Sequence, residues 1–223
     1  MNHQIVILPA REQVAAVLRR AILSGEYRPN ELLTLDSVAE ICGVSRTPVR
    51  EAFQILAMEG LLELRPNRGA MVKDVSEDFI NDHYDVRILM EGEACVRAIR
   101  HPEQWDTIRQ AITLGQQACS RQDVEAFNKA NNDFHMAIWQ ASGSEKLKSF
   151  LGQLWNGLSL DSYISENEYI SVVQKEHEAI SQAIFAADKE AARLAMRHHL
   201  EHSQENLLRQ LALHKRQQTP QEP

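Results

Sequence analysis

Apolar positions near the start of the chain recur at helical spacing, and turn residues interrupt them at short intervals. Val14, Leu18 and Ile22 lie on one face of a predicted amphipathic helix. This helix covers 10–24, and Gly25 follows it as a helix stop. The pattern therefore predicts short helices around a small core in this part of the chain.

A second short helix is predicted after a turn. It covers 36–42 and ends before Gly43. Its buried face is expected to consist of Val38, Ala39 and Ile41. Because Gly43 introduces a tight turn directly afterwards, we expect another helix to start close by at an angle to this one.

The third helix has clear start and stop signals. Ser45 is a good N-cap, and Gly60 ends the helix. Pro48 lies in the first turn, where its missing N–H costs little. Two short helices separated by a glycine-containing turn predict a helix-turn-helix.

A β-hairpin with a basic tip is predicted directly after these helices. Leu62 and Leu64 alternate with polar residues, and 70–72 can pair back onto them. Residues 66–69, Pro-Asn-Arg-Gly, supply the turn. A hairpin in this position is the wing of a winged helix, a fold that places its third helix in the major groove of DNA.

Arginines occur where a winged helix meets DNA. Arg46 and Arg50 are four residues apart at the start of the third helix, so both leave the same face. Each can grip guanine in two hydrogen bonds or clamp a phosphate, and the N–H groups of the helix N-terminus add an anion site. Arg68 on the wing can reach the minor groove or a phosphate, and Gly69 lets the backbone approach closely. We therefore expect DNA binding rather than merely solvated arginines.

From about residue 76 the helical periodicity is almost unbroken, and breakers separate about six helices. No strand-like alternation occurs, so we expect an all-α bundle. The predicted helices cover 76–100, 102–120, 123–142, 144–163, 168–186 and 188–215. The expected organisation is a DNA-binding domain at 1–75, a helical effector-binding and dimerisation domain at 76–215, and a flexible tail at 216–223.

Charge separates the same two regions. The first 75 residues carry nine Lys and Arg against nine Asp and Glu, whereas the remainder carries fifteen against twenty-two and accounts for the net charge of −7. This balance indicates a local basic element rather than a wholly basic surface.

No apolar run approaches the roughly 18 residues of a membrane span, and no signal peptide is recognisable. Three widely spaced cysteines suit a reducing cytoplasm.

Three histidines and an asparagine in the helical region are candidate metal ligands. Asn131 and His135 are four residues apart on one helix face, and His177 lies mid-way along the fifth predicted helix. His199 lies mid-way along the last one. Three imidazoles with an amide oxygen suit Zn²⁺, Ni²⁺ or Mn²⁺. Spacing alone equally allows ordinary hydrogen-bonded or surface residues, which is our interpretation of His83, His101, His198, His202 and His214.

The helix-turn-helix region resembles the DNA-binding domain of the GntR family of bacterial transcription regulators. The resemblance covers 9–75 and rests on VSRTPVREAFQILAMEGLL followed by RPNRGAMV. It implies a winged helix-turn-helix with operator contacts from Ser45, Arg46, Thr47, Arg50, Asn67, Arg68 and Gly69. Two positions depart from the family pattern: Pro29-Asn30 replaces a common Pro-Gly, and Asp36 replaces an often basic, DNA-contacting residue.

The helical region resembles the effector-binding domain called FCD, of the FadR-type branch of that family. The likeness covers about 76–214 and rests on NNDFHMAI, KEHEAISQAI and AMRHHL. Matched position by position, the implied metal ligands are Asn131, His135, His177 and His199. FCD domains more commonly have Asp in place of Asn131, and a neutral amide should hold a cation less tightly.

Arg87 has two interpretations. It precedes Glu91 by four residues, which allows a simple ion pair within one helix. The family resemblance instead turns Arg87 toward the pocket, where it would hold a carboxylate of the effector in two hydrogen bonds. A metal with open coordination positions beside an arginine suits a small organic acid.

The resemblance implies a homodimeric transcription regulator of the bacterial cytoplasm, associated with the nucleoid when bound to DNA and not with a membrane. It would bind a near-palindromic double-stranded operator, usually as a repressor that a small carboxylate effector releases. Two alternatives remain from the residues alone: a metal-dependent hydrolase fused to a DNA-binding module, and an architectural DNA-binding protein without an effector. We do not expect an enzyme, because HExxH is not met at His177 and no phosphate-binding glycine loop or GxSxG occurs.

Overall fold

The computed structural model describes residues 9–23, 25–158 and 167–218, and the chain divides into two compact units. One unit contains the residues up to Glu77, and the other is Asp78–Leu213. Within the described part of the chain, no helix is both long and apolar enough to cross a membrane. The three cysteines are all free thiols.

The first unit consists of three helices and a small antiparallel sheet. Its elements are α1 (Ala10–Leu23), β1 (Leu32–Leu33), α2 (Leu35–Cys42), α3 (Arg46–Met58), β2 (Leu62–Arg65) and β3 (Gly69–Val72). The strand order is β1-β3-β2. The β2–β3 hairpin confirms the predicted wing, whereas β1 is a third strand that we did not predict. Two residues are too few to show an alternating pattern, so only the pairing with β3 identifies β1.

Apolar side chains from all three helices fill the core of this unit. Leu18 of α1, Val38 of α2 and Phe53 of α3 are almost completely buried. The prediction for Ile41 is wrong, because 67% of its surface is exposed. The helix α2 has only about two turns, and Ile41 points about 60° away from Val38 around its axis, outside the narrow stripe that contacts the core.

Capping differs between the two helices of the helix-turn-helix. The hydroxyl of Thr34 caps α2 by accepting a hydrogen bond of 3.1 Å from the N–H of Ser37. Ser45 occupies the N-cap position of α3, which confirms the prediction, although its hydroxyl makes no capping hydrogen bond. The extended backbone at Ser45 suffices to start the helix, and the first-turn N–H groups of α3 receive no bond from its side chain.

The second unit is all-helical over the residues that the structure describes. Its helices are α4 (Glu77–Ala98), α5 (Trp105–Arg121), α6 (Val124–Ala141), α7 (Glu145–Leu158), α8 (Asn167–Phe185) and α9 (Lys189–Gln218), with a short 3₁₀ turn at Pro102–Gln104. Asp123 and Asp188 cap α6 and α9, by accepting from the N–H groups of Ala126 and Ala191. The six predicted helices are therefore confirmed as elements. Residues 159–163, predicted as the end of the fourth helix, lie outside the described residues.

The end of the last helix differs from its prediction. The helix α9 continues to Gln218, so 216–218 are helical although they were assigned to the flexible tail. The polar composition of this segment resembles a tail, but Arg and Gln are both good helix formers. The remaining five residues of the predicted tail lie outside the described residues.

The interior of the second unit combines large apolar side chains with a cluster of buried polar ones. Trp139, Phe134 and Ile108 are among its largest fully buried side chains. Six buried residues with polar or charged side chains belong to the predicted site or its surroundings: Arg87, Glu91, Asn131, His135, His177 and His199. Buried polar groups require partners, so this cluster is the candidate site of the bundle.

Gly69 allows a test of the wing geometry. Its φ is +111°, and a Cβ there would lie 2.0 Å from the carbonyl oxygen of Leu33. We expect Gly69→Ala to lower the free energy of unfolding by about 2–4 kcal/mol, because it combines backbone strain with a backbone clash. The measurement is urea unfolding followed by circular dichroism. Gly43→Ala is the matched control, since Gly43 has a φ of +64° and open space around it. Equal costs for the two variants would contradict this explanation.

Candidate nucleic-acid interface and metal centre

A cleft of about 540 Å³ lies between the start of α3 and the wing. Its lining includes Arg46 and Arg50 of α3, and Arg65 and Arg68 of the hairpin. Asn67, at the hairpin tip, also lines it and has a left-handed φ of 59°. An arginine-rich concave surface of this kind complements the phosphates and the guanine edges of DNA.

The predicted DNA-contacting residues are divided between the cleft and its surroundings. Arg46, Arg50, Asn67, Arg68 and Gly69 line the cleft, whereas Ser45 and Thr47 are exposed at the start of α3 but are not part of the lining. Gly69 has a structural role in addition to its predicted DNA contact, which stays a prediction. Its missing Cβ makes room for the backbone of β1.

Three imidazoles meet in the interior of the helical unit. His135 of α6, His177 of α8 and His199 of α9 are all buried, and their candidate ligand atoms lie within 4.8 Å of one another. The Nε2 atoms of His135 and His199 are 3.2 Å apart. The ring of His177 stacks on Phe134 with a centroid distance of 4.2 Å, which holds its orientation.

Carboxylates bind the outer nitrogens of two of these rings. The Nδ1 atom of His135 lies 2.5 Å from Oε2 of Glu91, and that of His199 lies 2.9 Å from Oε2 of Glu176. Since an ionised carboxylate only accepts, each Nδ1 carries the proton, and each Nε2 presents a lone pair to the interior. This is the arrangement that carboxylates impose on metal-binding histidines.

The environment keeps these groups in defined charge states. Burial lowers the pKa of His177 well below its ordinary value, and the neighbouring His199 and His135 lower it further. Burial also lowers the pKa of His199, although Glu176 opposes this shift. Burial alone would raise the pKa of Glu91, but His135 and Arg87 outweigh it and hold that pKa far below its usual range. The imidazoles of His177 and His199 are therefore neutral at pH 7, as metal ligands must be.

The donor set fits a divalent transition metal. Two Nε2 lone pairs that face each other at 3.2 Å repel unless a proton or a cation lies between them. Nitrogen ligands of tetrahedral zinc are about 3.3 Å apart for Zn–N bonds of about 2.0–2.1 Å, which is close to this separation. The Nε2 of His177 is buried and has no hydrogen-bond partner among the described residues. A buried acceptor without a partner is costly, so a bound cation would satisfy it.

Asn131 and Arg87 lie near the triad in the fold but differ in what surrounds them. Asn131 is buried one helical turn before His135 on α6. Arg87 is buried and donates to Oε1 of Glu91 from Nε at 2.9 Å, so the simple ion pair within α4 does form. Its guanidinium also lies over the rings of Trp155 and Tyr84, at 4.8 and 5.2 Å.

Sequence reasoning missed several residues around the triad. Glu176 was not considered, although it binds both His199 and His202 and precedes His177 in the chain. Glu91 was considered only as the partner of Arg87, yet it also accepts from His135 and from the indole of Trp139. The only signal in the sequence was that Glu176 directly precedes a candidate ligand and that Glu91 lies one turn after Arg87. Acidic residues at such positions are too common to be informative.

Comparison with known proteins finds a matching family model for each of the two units. Residues 10–72 match the model of the gntR family of bacterial regulatory proteins, and residues 82–202 match the FCD domain. The Uxu operon transcriptional regulator of Escherichia coli K12 is 28% identical over 221 residues, covering 88% of this chain and 86% of that protein. The transcriptional repressor RspR of the same organism is 27% identical over 204 residues, covering 89% of each chain.

The fold has a solved counterpart. The structure of E. coli McbR/YncC superposes with a TM-score of 0.71 at 23% identity, covering 92% of this chain and all of the other. The relatives named here are transcription regulators, and neither a metal-dependent hydrolase nor an effector-independent architectural protein finds support among them. FCD domains are associated with metal binding, which agrees with the buried histidine triad. The chain therefore belongs to the GntR family of bacterial transcription regulators, in the branch that carries an FCD domain.

Proposed function

We propose that this regulator is a homodimeric repressor whose affinity for a near-palindromic operator is changed by a small organic acid, bound beside a metal at the histidine triad. The observation that carries the proposal is the pair of facing Nε2 lone pairs of His135 and His199, with the unpartnered Nε2 of His177 beside them. A DNA-reading unit joined to such a cation site has a simple use as a sensor. We expect it to act in the bacterial cytoplasm, on the nucleoid.

The DNA-reading part of the proposal rests on α3 and the wing. Arg46 and Arg50 are exposed side chains one turn apart, so both can enter the major groove together. Arg68 at the hairpin tip is suited to the minor groove or a phosphate. Ser45, Thr47 and Asn67 are expected to add polar contacts to the backbone of the DNA. A two-fold dimer of such units would read two half-sites related by symmetry.

The metal part of the proposal names four ligands. His135, His177 and His199 would hold the cation, and the amide oxygen of Asn131 would be the fourth protein ligand. Because Asn131 carries no charge, Zn²⁺, Ni²⁺ and Mn²⁺ all remain candidates. When bound, the cation supplies a Lewis-acidic centre with coordination positions open to a carboxylate oxygen.

The effector part of the proposal rests on Arg87. Its guanidinium is buried, fixed by Glu91 and flanked by aromatic rings, so it is prearranged for a planar carboxylate. An effector can change operator affinity only by binding one arrangement of the dimer more tightly than the other. Relatives that are named as repressors, which include RspR and a gluconate operon repressor from Bacillus subtilis, favour repression over activation.

Arg50→Ala tests the DNA-reading surface. We expect it to weaken binding to the preferred duplex, selected from a randomised pool, by about 1–3 kcal/mol, and to relax base preference at one position of each half-site. Fluorescence anisotropy measures the affinity. Arg20→Ala is the matched control, since Arg20 is an exposed arginine of the same unit outside the cleft. If both variants lose the same affinity, Arg50 is not a base-reading residue.

His135→Ala combined with His177→Ala tests the metal centre. After chelation and reloading with Zn²⁺, Ni²⁺ or Mn²⁺ in turn, we expect about one ion per chain in the wild type and less than about 0.1 in the double variant, since one histidine and an amide do not make a tight site. His198→Ala is the matched control, because His198 is exposed next to His199 on the same helix. Elemental analysis gives the readout, and equal metal content in all three proteins would refute the site.

Arg87→Lys tests the effector contact. A ligand at 100 times its Kd stabilises a protein by about 2.7 kcal/mol, which thermal shift detects easily. We expect small carboxylates to raise the Tm of the metal-loaded wild type, and chelation to remove the effect. Arg87→Lys keeps the charge but not the two-pronged geometry, so it should retain the metal and lose most of the acid-dependent shift. An unchanged shift would remove Arg87 from the effector site.

A further inference from the structure

The cleft between α3 and the wing contains an acidic side chain among its arginines. Among the described residues that line this cleft, Asp36 is the one acidic residue, and it shares the lining with Arg46, Arg50, Arg65 and Arg68. DNA carries one negative charge per about 1.7 Å of its axis. A carboxylate on this surface therefore weakens the attraction to phosphates, which calls for a compensating role.

The start of α2 fixes the position of Asp36. Thr34 caps the helix, and Asp36 lies in the first turn after that cap. An acidic residue in a first turn is favoured by the helix dipole. The dipole accounts for an acid at this position, but it does not account for the contact that the acid makes with another helix.

The carboxylate of Asp36 contacts the first residue of α3. Its Oδ1 atom lies 3.1 Å from Nε of Arg46, and the two side chains are 74% and 61% exposed. An ion pair this exposed contributes little to folding stability, so stability does not explain it. With Nε facing Asp36, the two terminal nitrogens of Arg46 still carry four N–H donors, the set that grips guanine O6 and N7 end-on.

We infer that Asp36 is a specificity-determining positioning residue that acts through Arg46, an inference that rests on the proposed DNA-reading function. Asp36 holds the guanidinium so that its terminal edge faces the bases. It also prevents Arg46 from binding phosphates, which carry no sequence information. The negative charge lowers affinity for any sequence, whereas the oriented arginine restores affinity only where a guanine is present.

The test compares full-length variants on two duplexes. One duplex is the sequence that wild-type protein enriches from a randomised pool, and the other is its scrambled counterpart. The specificity ratio is the Kd for the scrambled duplex divided by the Kd for the enriched one. We expect Asp36→Asn to lower this ratio at least about fivefold, with tighter binding to the scrambled duplex. Asp36→Glu keeps the carboxylate and should retain most of the ratio.

Glu63→Gln is the matched charge control. Glu63 pairs with Arg65 of the hairpin at 3.0 Å and is 51% exposed, so this variant removes an equivalent charge from the same unit. It should tighten both Kd values by a similar factor and leave the ratio unchanged. In an Arg46→Ala background, Asp36→Asn should lower the ratio no further, because Asp36 acts through that arginine.

Two results would overturn the inference. One is an Asp36→Asn variant that tightens both Kd values equally, as expected for Glu63→Gln, since Asp36 would then act only as a general charge. The other is an undiminished effect of Asp36→Asn in the Arg46→Ala background. A different result, in which wild-type protein enriches no sequence from the pool, would overturn the DNA-reading function and this inference with it. Circular dichroism verifies that each variant is folded.

Discussion

The buried carboxylate of Glu91 organises the helical unit. No part of its side chain is exposed, and an ion removed from water costs several kcal/mol unless partners surround it. Arg87 from the same helix supplies one partner, and His135 and Trp139 from α6 supply the others. This requirement sets the register of α4 against α6. It also turns the Nε2 of His135 toward the interior, where the Nε2 of His199 faces it.

The DNA-binding unit uses arginine in the opposite way. Its core consists of apolar residues such as Val49, Phe53 and Leu56 on the buried side of α3, while Arg46 and Arg50 remain in solvent on the other side. Arg50 keeps its freedom until a ligand removes its water, and Arg46 contacts the exposed carboxylate of Asp36. Arg87, by contrast, is buried and held by Glu91 before any ligand binds. One residue type thus provides an adaptable surface in one unit and a rigid anchor in the other.

Local signals in the sequence predicted the elements but not the contacts between them. Asp123 and Asp188 identified the starts of two helices from the sequence, because an N-cap side chain bonds an N–H group only three residues later. The strand β1 gave no such signal, since its two residues become a strand only by pairing with β3. The carboxylates that orient His135 and His199 lie 44 and 23 positions away in the chain, so only the packing of the helices brings them together. The predicted ligands could be named because a family resemblance supplied that missing packing.

Under the proposed function, the charges around the triad give a reason why an organic-acid effector would require the cation. Arg87 contributes one positive charge, and Glu91 and Glu176 contribute two negative ones, so these three side chains sum to minus one. An organic anion is repelled from such a pocket. A divalent cation at the proposed site would change the sum to plus one, whereas a carboxylate in place of Asn131 would leave it at zero. As a ligand of the proposed site, Asn131 would therefore give up some metal affinity, but it would make the loaded pocket attractive to an anion.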